Sequence, residues 1–169
     1  MTSSVLQRLG RAGRYAVGTV QVLCGVHLFN EHVAEIRPCV GASMYPTLAD
    51  SGTLVLHSRL ALRLSPLERG NLVTAVSPLD PAHQVLKRVI GLAGDTVCVD
   101  PTGERRKANL EWCTVPQGHV WLAGDNASNS TDSRDYGPVP IGLIRGKVVA
   151  RVWPTPRLLD AQFHKVDKV

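Results

Sequence analysis

Three stretches of this 169-residue chain hold hydroxyls or amines that could react. Ser43 stands in Gly41-Ala42-Ser43-Met44-Tyr45-Pro46-Thr47, between small residues and a proline turn. A serine hydroxyl is a weak nucleophile near neutral pH and needs a base beside it. His57, His83 and His119 are single residues in or beside strand-like runs, and none has the setting of a triad base. Lys87 differs, because it sits inside Val85-Leu86-Lys87-Arg88-Val89-Ile90. Neighbours in a strand point to opposite faces, so one of Lys87 and Arg88 can be solvated while the other faces inward. Burial disfavours an ammonium ion and leaves a neutral amine able to take a proton from a serine. A serine with a lysine base is one variant of triad chemistry. The third stretch, Gly124 to Arg134, is dense in short side chains that bond their own backbone. There the Ser130 hydroxyl could orient a lysine amine, and Asp132 and Arg134 could pair.

These groups must be carried by short elements. Strand-like runs occur at 53–57, 71–76, 84–90, 95–99, 119–123 and 142–153, the last with a bend expected at Gly146. Residues 60–67 read as a loop or distorted strand, and 100–111 as a polar loop. Fifteen glycines and 11 prolines separate the runs, and little of the pattern has a helical period. The expectation is a mainly β domain, closed or folded over on itself, spanning 37–154. Aromatic residues are 5% of the chain, so its core is expected to be aliphatic. The stretch 155–169 reads as a polar tail.

Before the domain, residues 1–14 contain Arg8, Arg11 and Arg14 and no acid, and 15–29 are mostly apolar. That run falls short of the roughly 20 residues a spanning helix needs. Phe29-Asn30-Glu31-His32 is a poor exit for a cleaved secretory signal. A mitochondrial targeting segment followed by an anchor helix over 15–36 fits better, with the arginines on the inner side. The net charge of +5 comes from scattered residues without interleaved aromatics, which argues against nucleic acid as a partner. Arg105-Arg106-Lys107 reads as a solvated loop. Cys24, Cys39, Cys98 and Cys113 form no C-x-x-C pair, so no zinc site is expected. Spacing leaves open whether Cys98 and Cys113 pair.

Taken together and in order, three motifs resemble the type I signal peptidase family, peptidase S26. They are Ser43-Met44-Tyr45-Pro46-Thr47, Lys87-Arg88-Val89-Ile90-Gly91-Leu92-Ala93-Gly94-Asp95, and Gly124-Asp125-Asn126 through Ser130-Thr131-Asp132-Ser133-Arg134. The likeness covers most of 38–153. Trp121, Tyr136-Gly137-Pro138 and Val152-Trp153-Pro154 resemble the family's mitochondrial inner-membrane branch; a bacterial signal peptidase is the alternative, and an inactive tethered binding domain a more distant one. The resemblance implies an antiparallel coiled β-sheet with one N-terminal anchor helix, and peptide hydrolysis through an acyl-enzyme without metal or cofactor. It implies Ser43 as nucleophile, Lys87 as general base, Ser130 as the group orienting the lysine, and Asp132 with Arg134 as a structural pair beneath the site. Gly41, Ala42 and Met44 would line the oxyanion and substrate pocket. Gly41 replaces a serine that supplies a second oxyanion donor in some bacterial members. Implied partners are a second protease subunit, precursors with cleavable presequences, and inner-membrane lipid. The sequons at Asn126 and Asn129 would invite glycans beside the lysine in a secretory protein, and a mitochondrial location removes that conflict.

Overall fold

A computed structural model describes residues 2–101 and 111–159. The chain opens with α1 (Thr2–His32) and passes directly into β1 (Ala34–Cys39). A short turn carrying Ser43 leads to β2 (Thr53–Ser58), α2 (Arg59–Leu64), β3 (Leu72–Val76) and β4 (Gln84–Gly91). The hairpin β5 (Thr96–Cys98) and β6 (Trp112–Thr114) follows, then β7 (His119–Ala123) and α3 (Ser133–Tyr136). The described chain ends with β8 (Val139–Pro140), β9 (Ile144–Trp153) and β10 (Arg157–Leu158). Apart from β5 and β6, which pair only with each other, the described strands form one antiparallel sheet in the order β1-β2-β9-β3-β4-β7-β8, with β10 added on β9. Long β9 pairs with β2 along one edge, and with β3 and then β10 along the other, so the sheet curls around it. The fold is therefore mainly β, antiparallel and folded over, with an N-terminal helix.

The core is aliphatic, as the low aromatic content requires. Val73, Ala75, Val89, Val120, Leu122, Val139 and Ile144 fill one cluster between the central strands. A second cluster, Cys39, Met44, Leu48, Val55, Leu72 and Val148, lies beneath the Ser43 turn. Trp121 is buried with Val97, Val99 and Val115 under the β5–β6 hairpin. The turn that bears Ser43 is thus bolted to β2, β3 and β9 from below.

Several expectations need correction. The apolar helix does not extend to residue 36: it ends at His32, and Ala34, Glu35 and Ile36 pair with Ser58, His57 and Leu56. Among the described residues no helix is long and apolar enough to cross a membrane. Gln21, His27 and the polar end at Asn30-Glu31-His32 interrupt the apolar run. Residues 59–64 are helical, because Ser58 caps the turn by accepting the Ala61 N–H at 3.0 Å. The segment after Pro154 is not all tail. Arg157 and Leu158 pair with Arg151 and Ala150, and the Leu159 N–H donates to the Val149 carbonyl at 2.9 Å. Residues 160–169 and the basic run Arg105-Arg106-Lys107 lie outside the described residues. Cys98 and Cys113 are free thiols. Cys113 stands opposite Val97 and Cys98 opposite Trp112, so the two thiols leave opposite faces of the hairpin.

Candidate active site

Ser43 lies in a single 3-10 turn, Ala42–Met44, immediately after edge strand β1. Gly41 enters the turn with φ +111°, a backbone shape that a residue with a Cβ adopts only under strain. Its N–H donates to the Asp50 carbonyl at 2.7 Å, closing the loop at its base. Gly41 therefore shapes the loop and has no N–H left for an oxyanion. Met44 is 1% exposed and packs down into the core, so it supports the turn from below and does not wall an open pocket. Ala42 offers its carbonyl to the Asn126 side-chain amide at 3.0 Å, and the Ser43 carbonyl accepts the Asn126 N–H at 3.0 Å.

Lys87 faces inward from β4 and is 3% exposed. Its ammonium or amine nitrogen donates to the Ser130 hydroxyl at 2.9 Å. Ser130 in turn donates to Asp132 Oδ2. Asp132 is wholly buried and receives Arg134 Nε at 2.8 Å and the Gly124 N–H at 2.8 Å. Its side chain and that of Asp135 also form a capping box on α3, which fixes the backbone that carries Arg134. Burial alone would raise the Asp132 carboxyl, yet hydrogen bonds from Arg134, Gly124 and Ser130 hold it below the usual carboxylate range. Asp132 is thus an anion at neutral pH, with its charge matched by Arg134.

The lysine network and the serine turn meet across Gly124. A Cβ placed there would fall 2.2 Å from Ser130 Oγ and 2.5 Å from the Ser43 carbonyl oxygen. Cys39, four residues before Ser43, also senses Lys87: burial pushes its thiol up, and the lysine charge pulls it partly back. Lys87, Ser130, Asp132 and Arg134 thus form one bonded chain, and the Ser43 backbone lies on the other side of Gly124 from it.

Arg88 departs from the expected alternation, because it too is buried, at 4% exposure. Loop 124–126 and the Gly70 turn cover the face that would otherwise be solvated. Arg88 donates to Asp125 from Nε at 2.8 Å and Nη2 at 2.7 Å, and to the Gly70 carbonyl at 2.8 Å. Thr47 donates its hydroxyl to the same carboxylate. Asp125 therefore ties the Ser43 turn to β4, a contact that sequence pattern does not mark. Its only signal is the adjacency of Lys87 with Arg88 and of Gly124 with Asp125. Elsewhere Lys147 forms a second lysine–serine contact, to Ser65 Oγ at 2.8 Å, and also donates to the Pro66 carbonyl at 2.6 Å. Ser65 directs its own hydrogen to the Ala61 carbonyl, so this pair fastens the end of α2.

Buried His57 and Asp132 predict the acid limb of stability. Burial, with Arg37 and Arg59 nearby, lowers the His57 pKa against the pull of Glu35. The unfolded chain then binds the extra proton first, so stability falls as pH drops below about 6.5, the unperturbed histidine value. The depressed Asp132 pKa adds a second loss, beginning below about 3.9 and running down through its folded value. Urea midpoints measured from pH 7 to 3 should show both limbs, and His57→Gln should flatten the first. A constant midpoint between pH 6.5 and 5 would contradict the His57 assignment.

The chain belongs to the signal peptidase family, peptidase S26, whose model matches residues 13–106 and 101–153. It is a serine peptidase of that family. Among its relatives it is 43% identical over 158 residues to mitochondrial inner membrane protease subunit 1 of Schizosaccharomyces pombe, covering 91% of this chain and 96% of that one. It is 44% identical over 146 residues to the Mus musculus protein of the same name, covering 86% of each. Mitochondrial inner membrane protease subunit 2 of Danio rerio is 34% identical over 131 residues, covering 75% of this chain and 68% of that one. The higher identity and coverage lie with the subunit 1 proteins.

Proposed function

We propose that the chain is a membrane-attached endopeptidase of the mitochondrial inner membrane that removes presequences from precursors delivered to the intermembrane space. The observation that carries the mechanism is the buried Lys87–Ser130 hydrogen bond, with Ser130 held in turn by Asp132. Ser130 accepts one hydrogen of Lys87 and so turns the nitrogen lone pair away from itself, towards the serine turn. Arg134 neutralises Asp132, which keeps that carboxylate from holding Lys87 as an ammonium ion. Ser43 Oγ attacks the scissile carbonyl carbon while Lys87 takes the hydroxyl proton. The proton passes to the departing amine as the peptide bond breaks, leaving an ester on Ser43. Lys87 then draws a proton from water, the hydroxide displaces the serine oxygen, and Ser43 regains its hydrogen. The Ser43 N–H is the oxyanion donor in this reading, since the Gly41 N–H is held by Asp50.

Attachment to the membrane would fall to α1, whose Val17, Val20, Leu23, Val26 and Phe29 are exposed. Because this helix is not apolar enough to cross alone, a second helix packed on Gln21 and His27 completes the arrangement. Mitochondrial inner membrane protease subunit 2 is the partner this predicts, as a heterodimer, with the catalytic domain facing the intermembrane space. The test is a profile of mature N-termini in mitochondria that carry Ser43→Ala. Precursors retaining presequences are the expected result; an unchanged profile would overturn the reading.

A further inference from the structure

The junction between α1 and the sheet is closed by α2 through an unusual concentration of bonds. The Val33 carbonyl, between α1 and β1, accepts the Arg59 N–H at 3.0 Å, the Leu60 N–H at 3.2 Å and the Ser58 hydroxyl at 3.1 Å. The Arg59 side chain reaches back to the end of α1. Its Nη1 donates to the carbonyls of Asn30, at 2.9 Å, and Glu31. A cation on the last carbonyls of a helix also answers the negative end of the helix dipole. Arg59 Nη2 lies 3.3 Å from Glu35 Oε1 on β1, and Arg37 Nη2 lies 2.6 Å from the same oxygen. Behind Glu35 stands His57, fully buried, with Nδ1 at 3.4 Å from that oxygen. The imidazole is packed on Gly146 of β9, where a Cβ would fall 2.3 Å from Nε2. The helix end is thereby connected through Arg59 and Glu35 to the interior of the sheet, and β1 runs from this junction to the Ser43 turn.

A loop connection would serve if α1 were only a tether. Five hydrogen bonds onto three carbonyls, those of Asn30, Glu31 and Val33, fix an angle instead. We propose that Arg59 is a positioning residue that sets the direction of α1 relative to β1. It thereby sets the distance from the membrane at which Ser43 meets a precursor. This rests on the reading that the substrate is presented from the membrane beside α1. Arg59 touches neither Ser43 nor Lys87, so its loss leaves hydrolysis of a free peptide intact. What it changes is which bond of an embedded precursor reaches Ser43.

The test uses the full chain with its partner subunit in phosphatidylcholine vesicles containing anionic lipid. Two probes carry one cleavage sequence. One is a soluble peptide; the other adds an apolar helix of about 20 residues that spans the bilayer. In the Arg59→Gln protein, kcat/KM on the soluble peptide should stay within about twofold of the parent. On the embedded probe it should fall about tenfold, within the range expected of a misplacement near 1 Å. Mass spectrometry of the embedded product should show cuts spread over neighbouring bonds. Arg59→Lys, which keeps a charge and donors, should restore part of the rate and narrow the cuts. Glu35→Gln gives an independent loss of the same link. Single-site cleavage of the embedded probe at the parent rate in both Gln variants would overturn the proposal. So would equal losses on both probes, since that is the signature of damage to the fold. Failure of the parent protein to cut either probe would instead overturn the presequence reading.

Discussion

Ser43→Ala and Lys87→Ala are each expected to lower kcat/KM on a presequence peptide by roughly 10⁴-fold or more, and the double variant should be no worse than either single one. The reason is that a nucleophile and its base act as one unit: with either gone, only binding and the oxyanion donor remain. The structures of the variants should differ in cost. Ser43→Ala removes one oxygen from a half-buried turn whose backbone is held by Asn126 and Asp50. Lys87→Ala leaves a hole in a strand where the lysine is 3% exposed, and it strips Ser130 of a donor. Lys87→Met is therefore the cleaner test, because it fills the space without supplying an amine. In the parent protein the rate should rise with pH as Lys87 loses its proton, since only the neutral amine accepts the Ser43 hydrogen. A flat profile from pH 5 to 9, or substantial turnover by Lys87→Met, would remove Lys87 from the role of base.

Strands β2, β3, β4, β5, β7 and β9 are legible in the sequence because each alternates or runs apolar between glycine and proline turns. That pattern is a direct imprint of burial on one or both faces. It also allowed one of Lys87 and Arg88 to face inward from β4, where Lys87 lies opposite Val73 and Arg88 opposite Leu72. Alternation does not anticipate that Lys87 and Arg88 are both buried. It assumes that a strand has one wet face, whereas β4 lies between β3 and β7 with loop 124–126 folded over it. The end of α1 was misjudged for a related reason. Val33, Ala34 and Ile36 are apolar around Glu35 and look like a resumption of the run, but pairing with β2 begins at Ala34, two residues after His32, and captures this backbone. β6, β8 and β10 are invisible because two or three residues carry no period; pairing with β5, β7 and β9 orders them. At the site, residue types and their order indicated Ser43, Lys87, Ser130, Asp132 and Arg134. The links that hold them, Asp125 to Thr47 and Asn126 to the Ser43 turn, join residues about 80 apart in the chain and have no local signature.

Gly124→Ala is expected to damage catalysis nearly as severely, although it adds one methyl group and touches no reacting atom. The added Cβ would lie 2.2 Å from Ser130 Oγ, 2.7 Å from Ser130 Cβ and 2.5 Å from the Ser43 carbonyl oxygen. A side chain can rotate away from such a contact; a backbone carbonyl cannot. Either loop 124–130 moves off the Ser43 turn, or Ser130 swings away from Lys87, and both separate the proposed nucleophile from its proposed base. Overpacking of this kind costs about 1–3 kcal/mol of stability. The catalytic loss should be larger in proportion, at about 10²-fold in kcat, because displacement near 1 Å is enough. KM on a soluble peptide should change less than kcat, which distinguishes a broken dyad from a blocked binding site. Gly142→Ala supplies the control, since a Cβ there meets nothing within 4 Å, and that variant should match the parent in both rate and melting temperature. A Gly124→Ala enzyme with parental kcat would mean that Ser130 and the Ser43 turn are free to part without cost. In that case the Lys87–Ser130 hydrogen bond would not be what aims the lysine.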